Sequence, residues 1–492
     1  MRQRSYVAWV VFLVFLPAFA LHDHADDGFV ADDFFYVTES SPISPLALLT
    51  FHWGHTEGDP ARYRPLVGFS YEINKAIGGR EPTSFHIFNF LLHGAVAATL
   101  ARITTAVSGS LMAGAIAGLL FAIHPTTHEN VLWVSGRTHP LAALFYLFGL
   151  LWLASRRGRA WTFRHGLALI CFWLSLSSYE TAVSFPLAVL LLAVMYPEDP
   201  SRPWWRALPI EVGPYLLMLV AYLLFRTLVL HSNESSAVAA SASLLLANLT
   251  RLTERALACG PCALGGSPIS SLTFWITLVT VIAAAAVLWR SSRRVLTFGV
   301  GLFVIAFLPF LTFPGFADRF AYLSLAGLTM VMGAGIASLL ERLNFPRAKA
   351  QGDVSRAATL GYVSFLPPLA GGTLLVLVVL LWGRQLRLAA QDWGEASAIA
   401  STIVKQTVKL LPNPPIGATL HFFRVPLAHK TAYVFITSFD VALRTAYQRK
   451  DINMIFDHES SDAAIAEAMA RRGKPIIFWW DANADTLHCS CP

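Results

Sequence analysis

Acidic residues gather near the start of the chain, where Asp23, Asp26, Asp27, Asp32 and Asp33 follow an apolar stretch at about 6–21. Two adjacent carboxylates at the edge of a membrane-length segment are costly to desolvate, so Asp32 and Asp33 are expected to face water and do chemistry there. They open a polar stretch that runs to about Thr83 and holds Arg62-Tyr63-Arg64-Pro65-Leu66, Asn74 and Gly78. Loops of that length are commonly functional. A second group is His124-Pro125-Thr126-Thr127-His128-Glu129-Asn130, followed by Gly136-Arg137-Thr138-His139. Imidazoles, a carboxylate and a guanidinium so close together suit an anionic group such as phosphate; His and Glu are also metal ligands. His124, His128 and Glu129 lack the helical HExxH spacing, so no metal site is expected there. His86, Asn89 and His93 are spaced three and four apart and share one helix face, which reads as a site lining, a polar seam between helices being the alternative.

The elements that must position these groups are membrane helices. Of 492 residues, 55% are hydrophobic and 14% charged, and the mean hydropathy is +0.54, too apolar for a soluble globule. Apolar runs near the roughly 20 residues that cross a bilayer lie at about 6–21, 84–105, 109–123, 137–154, 165–178, 179–196, 212–230, 271–290, 296–313, 319–340 and 358–383. The expected fold is therefore an all-α polytopic membrane protein with about eleven transmembrane helices. Lys and Arg collect in short connectors: Arg2 with Arg4, Arg156-Arg157 with Arg159 and Arg164, Arg202 with Arg206, Arg290 with Arg293-Arg294, and Arg342 to Arg356. The net charge of +7 thus reads as membrane orientation rather than nucleic-acid binding, since no basic patch with interleaved aromatics appears.

With those connectors cytoplasmic, residues 22–83, 124–137, the turn at 179–180, 231–270, 314–319 and the C-terminal region fall on the opposite face. Every unusual polar motif then shares that face. Ala18-Phe19-Ala20 also fits a signal-peptide cleavage pattern; residues 1–20 are read instead as an uncleaved first span. The stretch 237–258, rich in Ala, Ser and Leu with Arg251 and Arg255, suits an amphipathic helix on the membrane surface.

The motifs, taken in order, resemble the integral membrane glycosyltransferases of the GT-C type, and most closely the transmembrane O-mannosyltransferases that usually carry tetratricopeptide repeats. The matching pieces are the double aspartate, YRPL at 63–66, HIFNFLLH at 86–93, FAIHPTTHENVLWVSGR at 121–137, Tyr179-Glu180, Tyr222 to Arg226, and ADRFAYL at 317–323. Together they cover about residues 20–395. Departures are Thr127 where the family has a histidine, Tyr179 in place of a lysine, and Asp318 in place of a glutamate. The repeats are not read in this sequence.

The resemblance implies sugar transfer from a polyprenyl-phosphate donor to a protein or glycan hydroxyl, with inversion, at the outer face of a bilayer. The membrane would be a bacterial inner membrane or, in a eukaryote, that of the endoplasmic reticulum; the sugar expected is mannose. No cofactor is required on this reading, and a divalent metal is not favoured. The base would be Asp33 or Asp32, Asp33 being preferred by its place in the motif; a partly buried carboxylate has its pKa raised toward a useful value. Arg64, Arg137 and Arg319 would clamp the leaving phosphate, helped by His124 and His128, with His93, Glu129, Glu180 and Asp318 completing the substrate site. A lipid-linked saccharide flippase or a surface-polysaccharide ligase are the rival functions; the internal repeat expected of many transporters is not seen.

Residues 1–383 are thus read as the transmembrane domain, with 22–83 as its first outer loop, 384–411 as a linker and 412–492 as a small extracytoplasmic α/β domain. In the last, apolar runs at 432–437, 452–456 and 475–480 suggest about three strands, separated by helical stretches 439–449 and 461–472. Asp440, Asp457, His458, Asp481 and Asp485 fall near strand ends, but acceptor recognition or a structural cap is preferred to a second active site. Cys259-Gly260-Pro261-Cys262 reads as a structural pair, Cys489 and Cys491 as another, and Cys171 as packing within a span.

Overall fold

A computed structural model describes residues 3–38, 63–155, 161–197, 204–229, 241–258, 268–313, 316–341, 354–457, 461, 465 and 476–490. The Cys259–Cys262 pair, His458, Cys491 and most of 461–472 lie outside these residues. All eleven apolar runs are helical: α1 (Gln3–Ala20), α4 (Pro82–Ser108), α5 (Leu111–Ala122), α7 (Thr138–Ala154), α8 (Trp161–Leu176), α9 (Phe185–Met195), α11 (Gly213–Leu224), α13 (Pro268–Ser291), α14 (Arg293–Phe307), α15 (Tyr322–Glu341) and α16 (Val354–Leu410). Among the described residues, 5 helices are long and apolar enough to cross a membrane, or up to 6 with a bent pair, and four apolar helices are shorter. Between them lie α2 (Asp33–Thr38), α3 (Pro65–Gly78), α6 (His128–Leu132), α10 (Trp204–Glu211) and α12 (Ala242–Ala258).

Local chemistry sets the helix ends. Pro82 occupies the first turn of α4, where its missing N–H costs nothing, and Gly109 ends the helix at φ 74°. Ser110 then caps α5, its hydroxyl accepting the Ala113 N–H at 3.1 Å. After α5 the chain bends by 54° into residues 125–132; Pro125 forbids a continuous helix by disfavouring helical geometry at His124. Helix packing relies on small residues, as expected where lipid removes the hydrophobic drive between helices. A side chain at Gly94 would collide with the Val14 carbonyl, so α1 lies directly against α4. Large apolar side chains such as Phe19, Leu217, Trp275 and Leu380 point outward, a lipid-facing arrangement.

Helix α16 has 57 residues, so at about 1.5 Å per residue it outreaches a bilayer more than twofold. The stretch 384–411, expected as a linker, is the far half of this one helix. It carries a sheet of order β4-β1-β5-β6, formed by β1 (Thr419–Phe423), β4 (Asn453–Asp457), β5 (Ile476–Asp481) and β6 (Thr486–Ser490). Strands β4, β1 and β5 run parallel and β6 antiparallel. The strands expected near 452–456 and 475–480 are present, whereas 432–437 yields only half of a short hairpin, β2 (Ala428–His429) with β3 (Ala432–Tyr433). The central strand β1 escaped notice because Thr-Leu-His-Phe-Phe is neither long nor strictly alternating. Helix α17 (Phe439–Tyr447) covers one face, with Phe439 against Phe422 at 4.9 Å. Cys489 is disulfide-bonded and Cys171 is free.

Candidate active site

Three connectors come together: 124–137 meets both 22–38 and 316–321, and the hairpin β2–β3 with the residue after it touches all three. The first is anchored by Asp33, which is 1% exposed. Its Oδ1 accepts from the Ser135 N–H at 2.8 Å and hydroxyl at 2.5 Å, and its Oδ2 from the Val30 N–H at 3.2 Å. Each of these partners is internal, so in this structure Asp33, preferred from sequence as the base, ties the first connector to the second. Asp32 is half-buried and accepts the Thr437 hydroxyl from the C-terminal domain.

Burial is the dominant influence on Asp33 and pushes its carboxyl up to about 7 against the lowering pull of the Ser135 and Val30 hydrogen bonds. A carboxyl whose folded value lies above its unfolded one contributes full stability below about pH 4 and loses it as pH rises toward the folded value. Asp33→Asn should therefore flatten the pH dependence of thermal stability between about 4 and 7. Parallel curves for the two proteins, measured by tryptophan fluorescence in detergent, would rule the linkage out.

Arg137 also leaves the substrate-binding group. It is fully buried, its Nη1 donates to Asn74 Oδ1 at 2.6 Å, its Nη2 to the Phe85 carbonyl at 3.3 Å and its Nε to the Val134 carbonyl at 3.2 Å. Tyr71 and Phe88 stack on the guanidinium at 4.2 and 4.8 Å. The expected lining of α4 is likewise a seam. His86 reaches the Asp27 carbonyl at 3.1 Å, Asn89 donates to the Trp133 and Val134 carbonyls, and His93 lies between the Tyr322 hydroxyl at 2.6 Å and the Ala122 carbonyl at 3.2 Å. The alternative weighed for these three residues, polar packing between elements, is the one the contacts support.

His124 is buried against Trp382 at 4.3 Å and accepts the Thr126 N–H at 3.3 Å. Burial holds its imidazole down to about 3, so it is neutral and no imidazolium helper. His128 Nδ1 accepts the Trp393 indole N–H at 3.0 Å; a neutral ring therefore carries its proton on Nε2, which faces Asp318 Oδ2 at 3.2 Å. Asp318 Oδ1 meets Arg255 Nε at 3.1 Å. Arg255 belongs to α12, the surface helix expected at 237–258, which docks through Asn248, Leu252 and Ala256. Asn248 donates to the carbonyls of Leu311 and Phe313, both at 2.9 Å.

Of the three arginines expected as a clamp, Arg64 and Arg319 keep some exposed side-chain surface. Arg319 Nη1 pairs with Glu129 Oε1, and the Arg319 backbone N–H donates to Glu129 Oε2 at 2.9 Å. Arg64 Nη2 donates to Glu180 Oε2 at 2.8 Å, while Arg226 Nη1 lies 3.6 Å from Glu180 Oε1. Arg226 sits in the π-helical turn 225–229 that ends α11, a distortion that often marks functional positions. Tyr179 joins the pairs, with Arg64 over its ring at 4.3 Å and His139 against it at 3.9 Å. Both Arg64 and Arg319 act on His139 electrostatically, and its buried Nε2 has no hydrogen-bond partner among the described residues. A cavity of about 140 Å³ is lined by Tyr63 and Pro65, the sequence neighbours of Arg64, with Leu66, Phe69, Trp173, Leu174 and Ser177.

Of the expected group, Arg64, Glu129, Glu180 and Arg319 share this region, and His128 and Asp318 border it. His139, Arg226, Trp393 and Tyr433 were not assigned roles from sequence. His139 and Arg226 lay within motifs already noticed, whereas nothing local distinguished Trp393 or Tyr433. Glycine sets the close turn here: a side chain at Gly136 would collide with the Glu129 carbonyl.

The fold of this chain is that of a known structure. It matches the crystal structure of ArnT from Cupriavidus metallidurans bound to undecaprenyl phosphate at a TM-score of 0.52, over 97% of this chain and 94% of that one, with 12% identity. No family model matches the sequence. Among curated proteins, the chain is 43% identical over 94 residues to protein O-mannosyl-transferase TMTC2 of Mus musculus, and 30% identical over 181 residues to protein O-mannosyl-transferase TMTC4 of the same species. The matched parts are 19% and 32% of this chain and only 11% and 24% of those relatives. The resemblance read from the motifs therefore stands: parts of the chain are similar to O-mannosyltransferases and its fold to that of ArnT, consistent with the GT-C type.

Proposed function

We propose that the protein transfers a sugar, mannose by its relatives, from a polyprenyl-phosphate donor to a hydroxyl of a protein or glycan, with inversion, at the extracytoplasmic face of a membrane that it crosses about eleven times. The observation that carries this reading is the apolar cavity lined by Tyr63 and Pro65, which flank Arg64 in sequence, together with the charges of Glu180 and Arg226 that Arg64 joins. A prenyl tail needs an apolar channel and its phosphate needs guanidiniums at the channel's end. The disulfide at Cys489 supports an oxidising, extracytoplasmic setting for the C-terminal domain. ArnT, which shares the fold, was solved with undecaprenyl phosphate.

In this mechanism Arg64 and Arg319 neutralise the phosphate, and His139 Nε2 meets the donor between them. The acceptor oxygen attacks the anomeric carbon, the bond from that carbon to the phosphate oxygen breaks, and the lipid phosphate leaves with both electrons. The acceptor proton passes to the Asp32 carboxylate. Glu129 and Glu180 hold the guanidiniums rather than touching the reacting atoms. No metal is assigned a role, so a chelator should leave turnover unchanged.

The test is incubation of purified protein with labelled polyprenyl-phosphate mannose and a mixture of peptide and glycan acceptors, followed by assay of free polyprenyl phosphate and labelled product. Arg64→Ala and Arg319→Ala should each lower kcat/KM by about 10²-fold or more, as loss of a preorganised anion donor does. Movement of intact donor without bond cleavage would favour the flippase alternative, which neither the fold nor the relatives favour.

A further inference from the structure

We propose that the C-terminal sheet domain is part of the active site, and that Tyr433 on its hairpin is a positioning residue holding the Glu129–Arg319 pair in the geometry that meets the donor phosphate. This rests on the glycosyl-transfer reading above, in which Arg319 binds that phosphate.

The Tyr433 hydroxyl donates to Glu129 Oε1 at 2.8 Å and accepts from Arg319 Nη1 at 3.0 Å. One phenol thus bridges both members of an ion pair whose residues lie 304 and 114 positions away from it in the chain. The arrangement divides the guanidinium's five donors. Both Nη1 hydrogens are used, one by Glu129 and one by Tyr433, while Nε and Nη2 have no partner among the described residues and remain for a phosphate. Burial first, then the Glu129 charge, hold the phenol above its ordinary range, so its proton stays in place.

The hydroxyl is held from both sides. Trp133 meets the Tyr433 ring edge-on at 5.2 Å, and Trp393 of α16 does so at 5.8 Å. The hairpin turn is fastened to α16, where Lys430 Nζ and His429 Nε2 reach Glu395 Oε2 at 2.6 and 2.7 Å and the Thr431 hydroxyl donates to Asp392 at 2.8 Å. Beyond Tyr433 the strap crosses to the first connector: the Ala31 N–H donates to the Val434 carbonyl at 2.8 Å, and Thr437 binds Asp32. A flexible arginine that must present its three remaining N–H donors to a phosphate gains from being fixed at the other two, because less rotamer freedom is lost on binding.

Tyr433→Phe keeps the ring between the two tryptophans and removes only the bridging oxygen. In the full-length protein, polyprenyl phosphate binding, measured directly, is expected to weaken about tenfold, with donor KM rising in proportion, kcat changing less than KM, and the thermal midpoint unchanged. The loss should shrink in an Arg319→Lys background, because the bridge acts through the guanidinium fork. Unchanged lipid affinity in Tyr433→Phe, or an equal loss in both backgrounds, overturns the proposal while leaving glycosyl transfer intact. Wild-type protein that binds no polyprenyl phosphate overturns the functional reading and this proposal with it.

Discussion

Asp32→Asn is expected to cut turnover by about 10²–10⁴-fold, the range for loss of a positioned general base, while donor binding and thermal stability stay near wild type. The choice of Asp32 over its neighbour comes from access. Asp33 spends both oxygens on Ser135 and Val30 in a site closed to solvent, so an acceptor hydroxyl has no path to it. Asp32 lies half-buried at the seam between the first connector and the C-terminal domain, where an acceptor could enter beside Thr437. Asparagine keeps the shape and the contact to Thr437 but does not take a proton at neutral pH. Single-turnover measurements on Asp32→Asn, Asp33→Asn and wild type separate the two roles: the first variant should lose chemistry, the second should alter stability against pH. Full turnover in Asp32→Asn removes that carboxylate from the mechanism.

Arg137→Met is expected to produce the largest loss of stability of any single change considered, about 3–5 kcal/mol. The side chain has no exposed surface and donates to one side-chain oxygen and two main-chain carbonyls contributed by three separate elements. Methionine fills much of the volume between Tyr71 and Phe88 but leaves Asn74 Oδ1 and the Phe85 and Val134 carbonyls without these donors. It also removes a positive charge that acts on Asp33. Detergent-solubilised Arg137→Met should therefore show a lowered thermal midpoint and weaker retention of the monodisperse peak on size exclusion. A variant that is as stable as wild type yet inactive would return Arg137 to the phosphate clamp.

These two residues also show where a reading of residue types stops. Asp33 and Arg137 have the charges that glycosyl transfer from a phosphate-linked donor needs, and they lie in the right connectors. Charge at a connector is equally what is needed to bind two connectors to each other, and sequence does not distinguish a donor aimed at a ligand from one aimed at a carbonyl. The seam of His86, Asn89 and His93 repeats the point: its helical spacing was correct, and its partners proved to be Asp27, Trp133, Val134, Tyr322 and Ala122 rather than an open site.

What the sequence determined by itself is the part that each segment decides alone. An apolar run tends to satisfy its backbone as a helix wherever it stands, and all eleven runs are helical, though only 5, or up to 6, of the described helices have the length to cross a membrane. Pro82, Gly109, Ser110 and Pro125 act within a few residues of themselves, so they mark ends and bends without reference to the rest of the chain. Only the tertiary structure decided which polar groups satisfy each other, because the partners are remote in the chain. Arg319 meets Glu129 across 190 positions, Tyr433 meets Glu129 across 304, and Thr437 meets Asp32 across 405. A hydrogen bond's direction is settled by where two surfaces come together, and no local pattern carries that information. For that reason the membrane helices were legible in advance, while the choice between Asp32 and Asp33 and the role of the C-terminal hairpin were not.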